Sequence, residues 1–152
     1  MAQADATGRW KVFLPPQSIS KIGRSLRVSE GPETIEIKDV LIGEVWLCAG
    51  QSNMAWTLAQ STHGAEEISA VSKARVRLLN LVGQAGSGAG VYSSKQVAAL
   101  NPDRYYQGTW EKATPESAKS FSAVGWYFGK RLNQQLDTPI GLISMPVGGS
   151  PI

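Results

Sequence analysis

The sequence contains the run GEVWLCAGQSNM at residues 43–54. Its first part, from Val45 to Ala49, is continuously apolar, which is typical of a strand that is buried on both faces of a parallel sheet. The turn that follows runs from Gly50 to Ser52, and we expect a helix to begin near Asn53. The run therefore predicts a strand, a tight turn and a helix, which is the first unit of an α/β fold.

Two more apolar segments, residues 76–82 and 140–145, continue this pattern. Between them we expect a helix with Thr114 as its N-cap and Pro115 at its first position. Its apolar stripe follows the 3.6-residue period of a helix and consists of Phe121, Val124, Phe128, Leu132 and Leu136. Strands that alternate with helices predict a parallel sheet with helices on both of its faces.

The first 42 residues have a different character. Short β segments are expected at residues 10–14, 25–28 and 34–38, and Ile35 and Ile37 alternate with charged residues as in a half-buried antiparallel strand. Three such strands are too few for a sandwich. We therefore divide the chain into residues 1–42, the tail of a β-rich, sandwich-like segment, and residues 43–152, an α/β domain.

Composition limits the possible functions. The 152 residues are 42% hydrophobic and 18% charged with a net charge of +3, which favours a packed globular domain over disorder. No block of basic residues suggests a nucleic-acid surface, and no apolar run is long enough to span a membrane. The single cysteine, Cys48, and the single histidine, His63, exclude a disulfide framework and offer little to a metal. We expect no metal and no cofactor.

Ser52 is the residue best placed for chemistry. Active sites of open α/β sheets form at the carboxyl ends of the strands, and Ser52 follows such an end. Its hydroxyl would be exposed there, and its backbone N–H would point where an oxyanion could form. A serine at this position could equally serve as an N-cap, and the pattern alone leaves both interpretations open. Gly148 and Gly149, after the third strand, could offer N–H groups to a ligand or simply form a turn.

The run at residues 43–54 resembles the sialate O-acetylesterase family, a branch of the SGNH (GDSL-type) hydrolases. Residues 120–129 are similar to the central helix of that family, and residues 139–152 to the strand and glycine turn that follow it. Residues 8–42 are similar to the β-rich segment that commonly precedes the catalytic domain. The resemblance implies an SGNH-type, flavodoxin-like parallel sheet that is incomplete in this chain.

The same resemblance implies roles for individual residues. Ser52 would be the nucleophile, and its N–H would be one oxyanion donor. Gly149, or its neighbour Gly148, would supply a second backbone N–H, and Gln51 and Asn53 are assigned with them to oxyanion or substrate binding. The implied activity is hydrolysis of O-acetyl groups from sialic acid or related sugars, with release of acetate.

Two parts of the family pattern do not appear in this sequence: the asparagine that completes the oxyanion hole and the Asp-x-x-His base. His63 lies eleven positions after Ser52, and Gln60 stands where the aspartate would be. We therefore expect an amino-terminal portion of a larger esterase that lacks a carboxy-terminal segment and is nearly inactive alone. We also expect its last strand to lack neighbours. The resemblance also implies an exported enzyme, periplasmic or secreted, although the sequence shows no signal peptide.

A different class of function is a non-catalytic carbohydrate-binding or interaction fragment. Its binding surface would use the tryptophans, which can stack on sugars: Trp46, Trp56, Trp110 and Trp126. Such a module has no need for a small polar residue at a strand-to-helix turn. The surroundings of Ser52 therefore discriminate between the two functions.

Overall fold

The structure is a computed structural model that describes residues 2–71, 74–83, 93–101 and 105–148. None of the helices in these ranges is long and apolar enough to cross a membrane. The elements, in chain order, are β1 (Ser20–Glu30), β2 (Glu33–Ile42), β3 (Glu44–Gly50), α1 (Ser52–Ala55), a 3₁₀ turn (Leu58–Gln60), α2 (Gly64–Ala70), β4 (Val76–Asn80), β5 (Val82–Gly83), α3 (Ser94–Ala99), β6 (Tyr106–Gln107), β7 (Trp110–Lys112), α4 (Pro115–Lys119), α5 (Ala123–Leu136) and β8 (Ile140–Pro146).

The central sheet has four strands in the order β3-β8-β4-β7. Strands β3, β8 and β4 are parallel, and β7 adds an antiparallel edge beside β4. The α/β class is confirmed, as is the antiparallel hairpin, β1 with β2, that precedes the sheet. The expectation that the last strand lacks neighbours is wrong: Ile140 of β8 pairs with Glu44 on one side and Val76 on the other.

The core lies on one face of this sheet. Leu78 and Leu142 point from neighbouring strands to a buried cluster that includes Trp126 and Phe121. On the other face, Val45 and Leu47 are 62% and 59% exposed. The described helices therefore leave these two side chains of β3 uncovered, although the continuous apolar run predicted burial on both sides of the strand.

The helix expected after Thr114 is in fact two helices. Thr114 and Pro115 begin α4 as predicted, and the Thr114 side chain accepts a hydrogen bond from the Ser117 backbone. Helix α4 ends at Lys119. Ser122 is the N-cap of the next helix, α5, and its side chain accepts a hydrogen bond from Gly125 N. The N-termini of both helices are specified by hydroxyl residues, because Ser and Thr side chains accept hydrogen bonds from the free backbone N–H groups of the first turn.

The buried face of α5 also differs from the predicted stripe. Val124, Phe128 and Leu136 are exposed, whereas Phe121 is buried and Leu132 packs against the core as the stripe predicted. The buried residues of α5 also include four that the stripe did not contain: Gly125, Trp126, Gly129 and Asn133. A Cβ atom on Gly129 would lie 2.5 Å from Leu142 Cδ1, so the helix backbone itself approaches the sheet. The 3.6-residue pattern of apolar side chains did not predict the contact of Gly125 and Gly129 with the sheet, because glycine has no side chain to contribute to such a pattern.

The β1–β2 hairpin is attached to the α/β body by two aspartates. Asp39 accepts from Arg77 at 2.9 Å and pairs with Lys112 at 2.8 Å. Asp137, which ends α5, pairs with Lys21 of β1 and with Arg75. Both aspartates have positive φ, 60° and 49°, a conformation that Asp tolerates better than most residues. The strand expected at residues 10–14 does not form, and these residues lie outside any ladder.

We predict that acid weakens this attachment. The hydrogen bond from Lys112 lowers the pKa of Asp39, and the hydrogen bond from Lys21 lowers that of Asp137, both from an ordinary value of 3.8. Because the folded pKa values lie below the unfolded ones, their stabilisation is present above about pH 4 and is lost as pH falls through the folded values.

Carboxyl-carbon NMR should give titration midpoints below 3.8 for both aspartates. The matched variant is Asp39→Asn with Asp137→Asn, since Asn also tolerates positive φ. It should unfold with less pH dependence between about pH 4 and pH 2 than the unmodified protein. Ordinary midpoints for both groups would contradict the prediction.

Candidate active site

The turn between β3 and α1 depends on Gly50. This residue has φ 149°, in the region that favours glycine, and a Cβ atom on it would lie 2.7 Å from Met54 Cγ. Its carbonyl accepts a hydrogen bond of 2.8 Å from Val147 N. The turn after β3 is therefore held directly to the loop that follows β8.

Ser52 is the first residue of α1 and is exposed to solvent. The N-cap is Gln51, whose Oε1 accepts from Ser52 Oγ at 2.9 Å and from Ser52 N at 3.3 Å. The interpretation of Ser52 as the capping residue is therefore wrong. The amide oxygen of Gln51 orients the hydroxyl, but a neutral amide does not take its proton.

The other predicted site residues fall into three groups. Gln51 and Asn53 share the turn with Ser52, and Asn53 is exposed. Gly148 lies half-buried just after β8, and the space where its Cβ would be is open, with no atom within 4 Å. The Val147–Gly50 hydrogen bond brings this glycine to the same edge of the sheet. Gly149 lies outside the described residues.

His63 has a local partner. It precedes α2 with φ 59°, its Nδ1 lies 3.0 Å from Glu66 Oε2, and its side chain is 75% exposed. The hydroxyl of Ser52 is hydrogen-bonded to Gln51 rather than to this imidazole. His63 is therefore a solvent-exposed residue at the N-terminus of α2. Among the residues that the structure describes, no three acidic, cysteine or histidine side chains are grouped to hold a metal ion.

Cys48 and Trp126 belong to the core. Burial raises the pKa of the Cys48 thiol, which suits an inert side chain. Trp126 donates from Nε1 to Glu67 at 2.8 Å, beneath the surface. Burial alone would raise the pKa of Glu67, but hydrogen bonds from Lys130 and Trp126 lower it on balance. Trp126 is therefore unavailable to a sugar. The other three tryptophans of that interpretation are exposed, so it is excluded for Trp126 alone. These exposed residues are Trp46, Trp56 and Trp110.

A cavity of about 210 Å³ opens at the carboxyl ends of β4 and β8, beside α1. Its lining includes Met54 of α1, Asn80 at the end of β4 and Ser144 near the end of β8. Sequence reasoning missed this cavity. The available signal was a polar residue near the end of each of two apolar strands, Asn80 and Ser144, which would be unexplained in a purely structural strand.

The comparisons with known proteins agree with the geometry. No family model matches the sequence. The chain is 33% identical over 133 residues to the sialate O-acetylesterases of Pongo abelii and Homo sapiens, an overlap that covers 78% of this chain and 22% of each relative. It also superposes on the crystal structure of a carbohydrate acetylesterase from Xanthomonas citri with a TM-score of 0.78 and 36% identity, covering 97% of this chain and 31% of that one.

These findings confirm the resemblance that residues 43–54 indicated. The chain is a relative of the sialate O-acetylesterases and shares the fold of a carbohydrate acetylesterase. It spans about a fifth of the length of the curated relatives that it matches, and about a third of the solved acetylesterase.

We predict that Gly50→Ala disrupts the turn. The new methyl group would meet Met54 and would hold the backbone in a strained region, so the free energy of unfolding should fall by about 1–3 kcal/mol. Urea denaturation measures the change. The matched control is Gly148→Ala, whose methyl group enters open space and should change stability by less than about 0.5 kcal/mol. Equal effects of the two substitutions would contradict the role given to Gly50.

Proposed function

We propose that this chain supplies the nucleophile and part of the oxyanion hole of a carbohydrate O-acetylesterase. The substrate class is O-acetylated sugar, sialic acid among the candidates, and the product is acetate. The observation that carries the proposal is the exposed hydroxyl of Ser52 at the turn between β3 and α1. Support comes from the names of the similar proteins, which are esterases of acetylated carbohydrate.

The proposed reaction is an acyl transfer through Ser52. Ser52 Oγ attacks the acetyl carbonyl carbon, and the developing negative charge is held by the N–H of Ser52 and a backbone N–H of Gly149 or Gly148. Because Gln51 Oε1 now accepts from both Ser52 N and Ser52 Oγ, its side chain must turn away when an ester binds. A base takes the proton of the Ser52 hydroxyl and passes it to the sugar oxygen as that oxygen leaves, and water then hydrolyses the acetyl-serine to acetate and free serine.

A serine nucleophile also needs a base near its hydroxyl. His63 is the only histidine in the sequence and is engaged by Glu66. We therefore place the base outside these 152 residues, in a further carboxy-terminal segment of the same enzyme. The greater length of the relatives leaves room for it. On this proposal, the 152-residue chain alone hydrolyses 4-nitrophenyl acetate only at a marginal rate.

The test is Ser52→Ala in the protein at its full natural length. Hydrolysis of an acetylated sugar should fall by a factor on the order of 10⁴ to 10⁶, because loss of the nucleophile removes the covalent route. A fluorophosphonate probe should label Ser52 in the unmodified protein and fail to label the variant. Since only an activated serine reacts, labelling reports on the base as well.

Two matched controls keep the result specific. Ser69→Ala removes an exposed helical hydroxyl that donates to the Ala65 carbonyl of its own helix, and it should leave turnover unchanged. His63→Asn should stay within about twofold of the unmodified rate, because its imidazole pairs with Glu66. Near-full activity of Ser52→Ala, or loss of activity in His63→Asn, would overturn the assignment.

A further inference from the structure

Strand β3 forms one edge of the central sheet, and no described strand lies beside its outer side. Its hydrogen bonds to β8 show which residues face that side. Glu44 N donates to Pro139 O, and Gly50 O accepts from Val147 N. Because the backbone groups of a parallel strand alternate between its two sides, alternate residues from Glu44 to Gly50 bond to β8. The backbone groups that point outward belong to Val45, Leu47 and Ala49.

This edge lacks the features that protect an open sheet edge in natural proteins, which are short length, charged side chains, proline and bulges. Strand β3 has seven residues, its register with β8 runs without a shift, and Glu44 is its only charged residue. The opposite edge, β7, has three residues, and Glu111 and Lys112 are charged. The sheet is therefore protected at β7 and open to pairing at β3.

The side chains on both faces of β3 are apolar and accessible. Val45 and Leu47 are 62% and 59% exposed on the face away from the core. On the core side, the ring of Trp46 packs edge to face against Phe128 of α5, with 5.2 Å between the centroids, and both residues remain exposed. Apolar side chains on both faces are typical of an interior strand of a parallel sheet. Strand β3 thus has the side chains of an interior strand in an edge position.

We propose that β3 is the docking edge for the carboxy-terminal segment of the same enzyme, which pairs a parallel strand with it and covers its apolar side chains. The choice of occupant rests on the esterase function proposed above, which needs a base from outside these 152 residues. The relatives have the length for such a segment, since the chain covers 22% of the human sialate O-acetylesterase and 31% of the solved acetylesterase.

The position of Ser52 gives the direction of approach. Toward β8 the turn is already occupied, because Val147 N bonds to Gly50 O. On the outer side, a parallel strand would end level with Gly50. Neighbouring strands lie about 4.8 Å apart, so the loop after that strand would lie next to Ser52.

A second copy of the chain would not do the same. Two copies related by a two-fold axis would pair their β3 strands antiparallel, so the carboxyl end of one strand would meet the amino end of the other. The Ser52 residues would then lie at opposite ends of the joint sheet. Such a pair would cover the apolar edge without completing the site.

Hydrogen exchange in the unmodified protein at its full natural length tests the pairing. The amides of Trp46 and Cys48, which face β8, provide the internal reference for a paired strand. We expect the amides of Val45, Leu47 and Ala49 to exchange as slowly as these two, because a strand on the outer side would bond them. Exchange of the outward amides that is faster by more than about tenfold would overturn the proposal.

A photo-cross-linker identifies the occupant. The full-length protein carries p-benzoylphenylalanine in place of Leu47, and the cross-linked peptides are identified by mass spectrometry after irradiation. We expect a cross-link within one molecule to a peptide that lies beyond residue 152. A cross-link to a second copy or to residues 1–152, or no cross-link, would contradict the assignment. The matched control places the same group at Val97, which is 54% exposed on helix α3 and should not cross-link to that peptide.

These measurements are independent of the test of the esterase. If the fluorophosphonate probe labels Ser52 and the outward amides of β3 exchange rapidly, the esterase stands and the docking edge is wrong. If these amides are protected and Leu47 cross-links beyond residue 152, but the probe does not label Ser52, the docking edge stands and the esterase is wrong.

Discussion

The close approach of α5 to the centre of the sheet is the constraint on which the site depends. A Cβ atom on Gly129 would lie 2.5 Å from Leu142 Cδ1, and one on Gly125 would lie 3.2 Å from Cys48 Sγ. These two glycines let the helix backbone rest on β8 and β3 at the same time. The two strands run in register to Gly50 and Pro146, so the turn that carries Ser52 and the loop that carries Gly148 leave the sheet at one level.

Local elements could be predicted from the sequence because their causes are local. The apolar run of β3, the turn at Gly50 and the cap at Thr114 are each specified by a few adjacent residues. The strand order could not be predicted, because it depends on pairs that are distant in the chain, such as Glu44 with Ile140 and Arg77 with Lys112. The buried face of α5 was missed for a related reason: glycine carries no hydrophobic signal, yet it permits the closest packing.

In the candidate site, too, the features formed by one segment could be predicted and those formed by several segments could not. Ser52 could be located from its own segment, whereas the cavity beside it is assembled from residues of α1, β4, β8 and the chain near Tyr106. No single segment shows a cavity. The sequence indicates the cavity through two polar residues in strands that are otherwise apolar, Asn80 and Ser144. They can be assigned to one site once the two strands are known to be neighbours.

The cap made by Gln51 has a consequence for selectivity. In the proposed esterase, the neutral carbonyl oxygen of an incoming ester would replace the neutral amide oxygen of Gln51 that already contacts Ser52, so little affinity would be gained in the Michaelis complex. The exchange becomes favourable when the carbonyl oxygen acquires charge, because hydrogen bonds to an anion are about twice as strong. In the proposed esterase, a competing internal acceptor would thus reserve the donor for the tetrahedral species, which is the condition for a higher turnover number rather than a lower Michaelis constant.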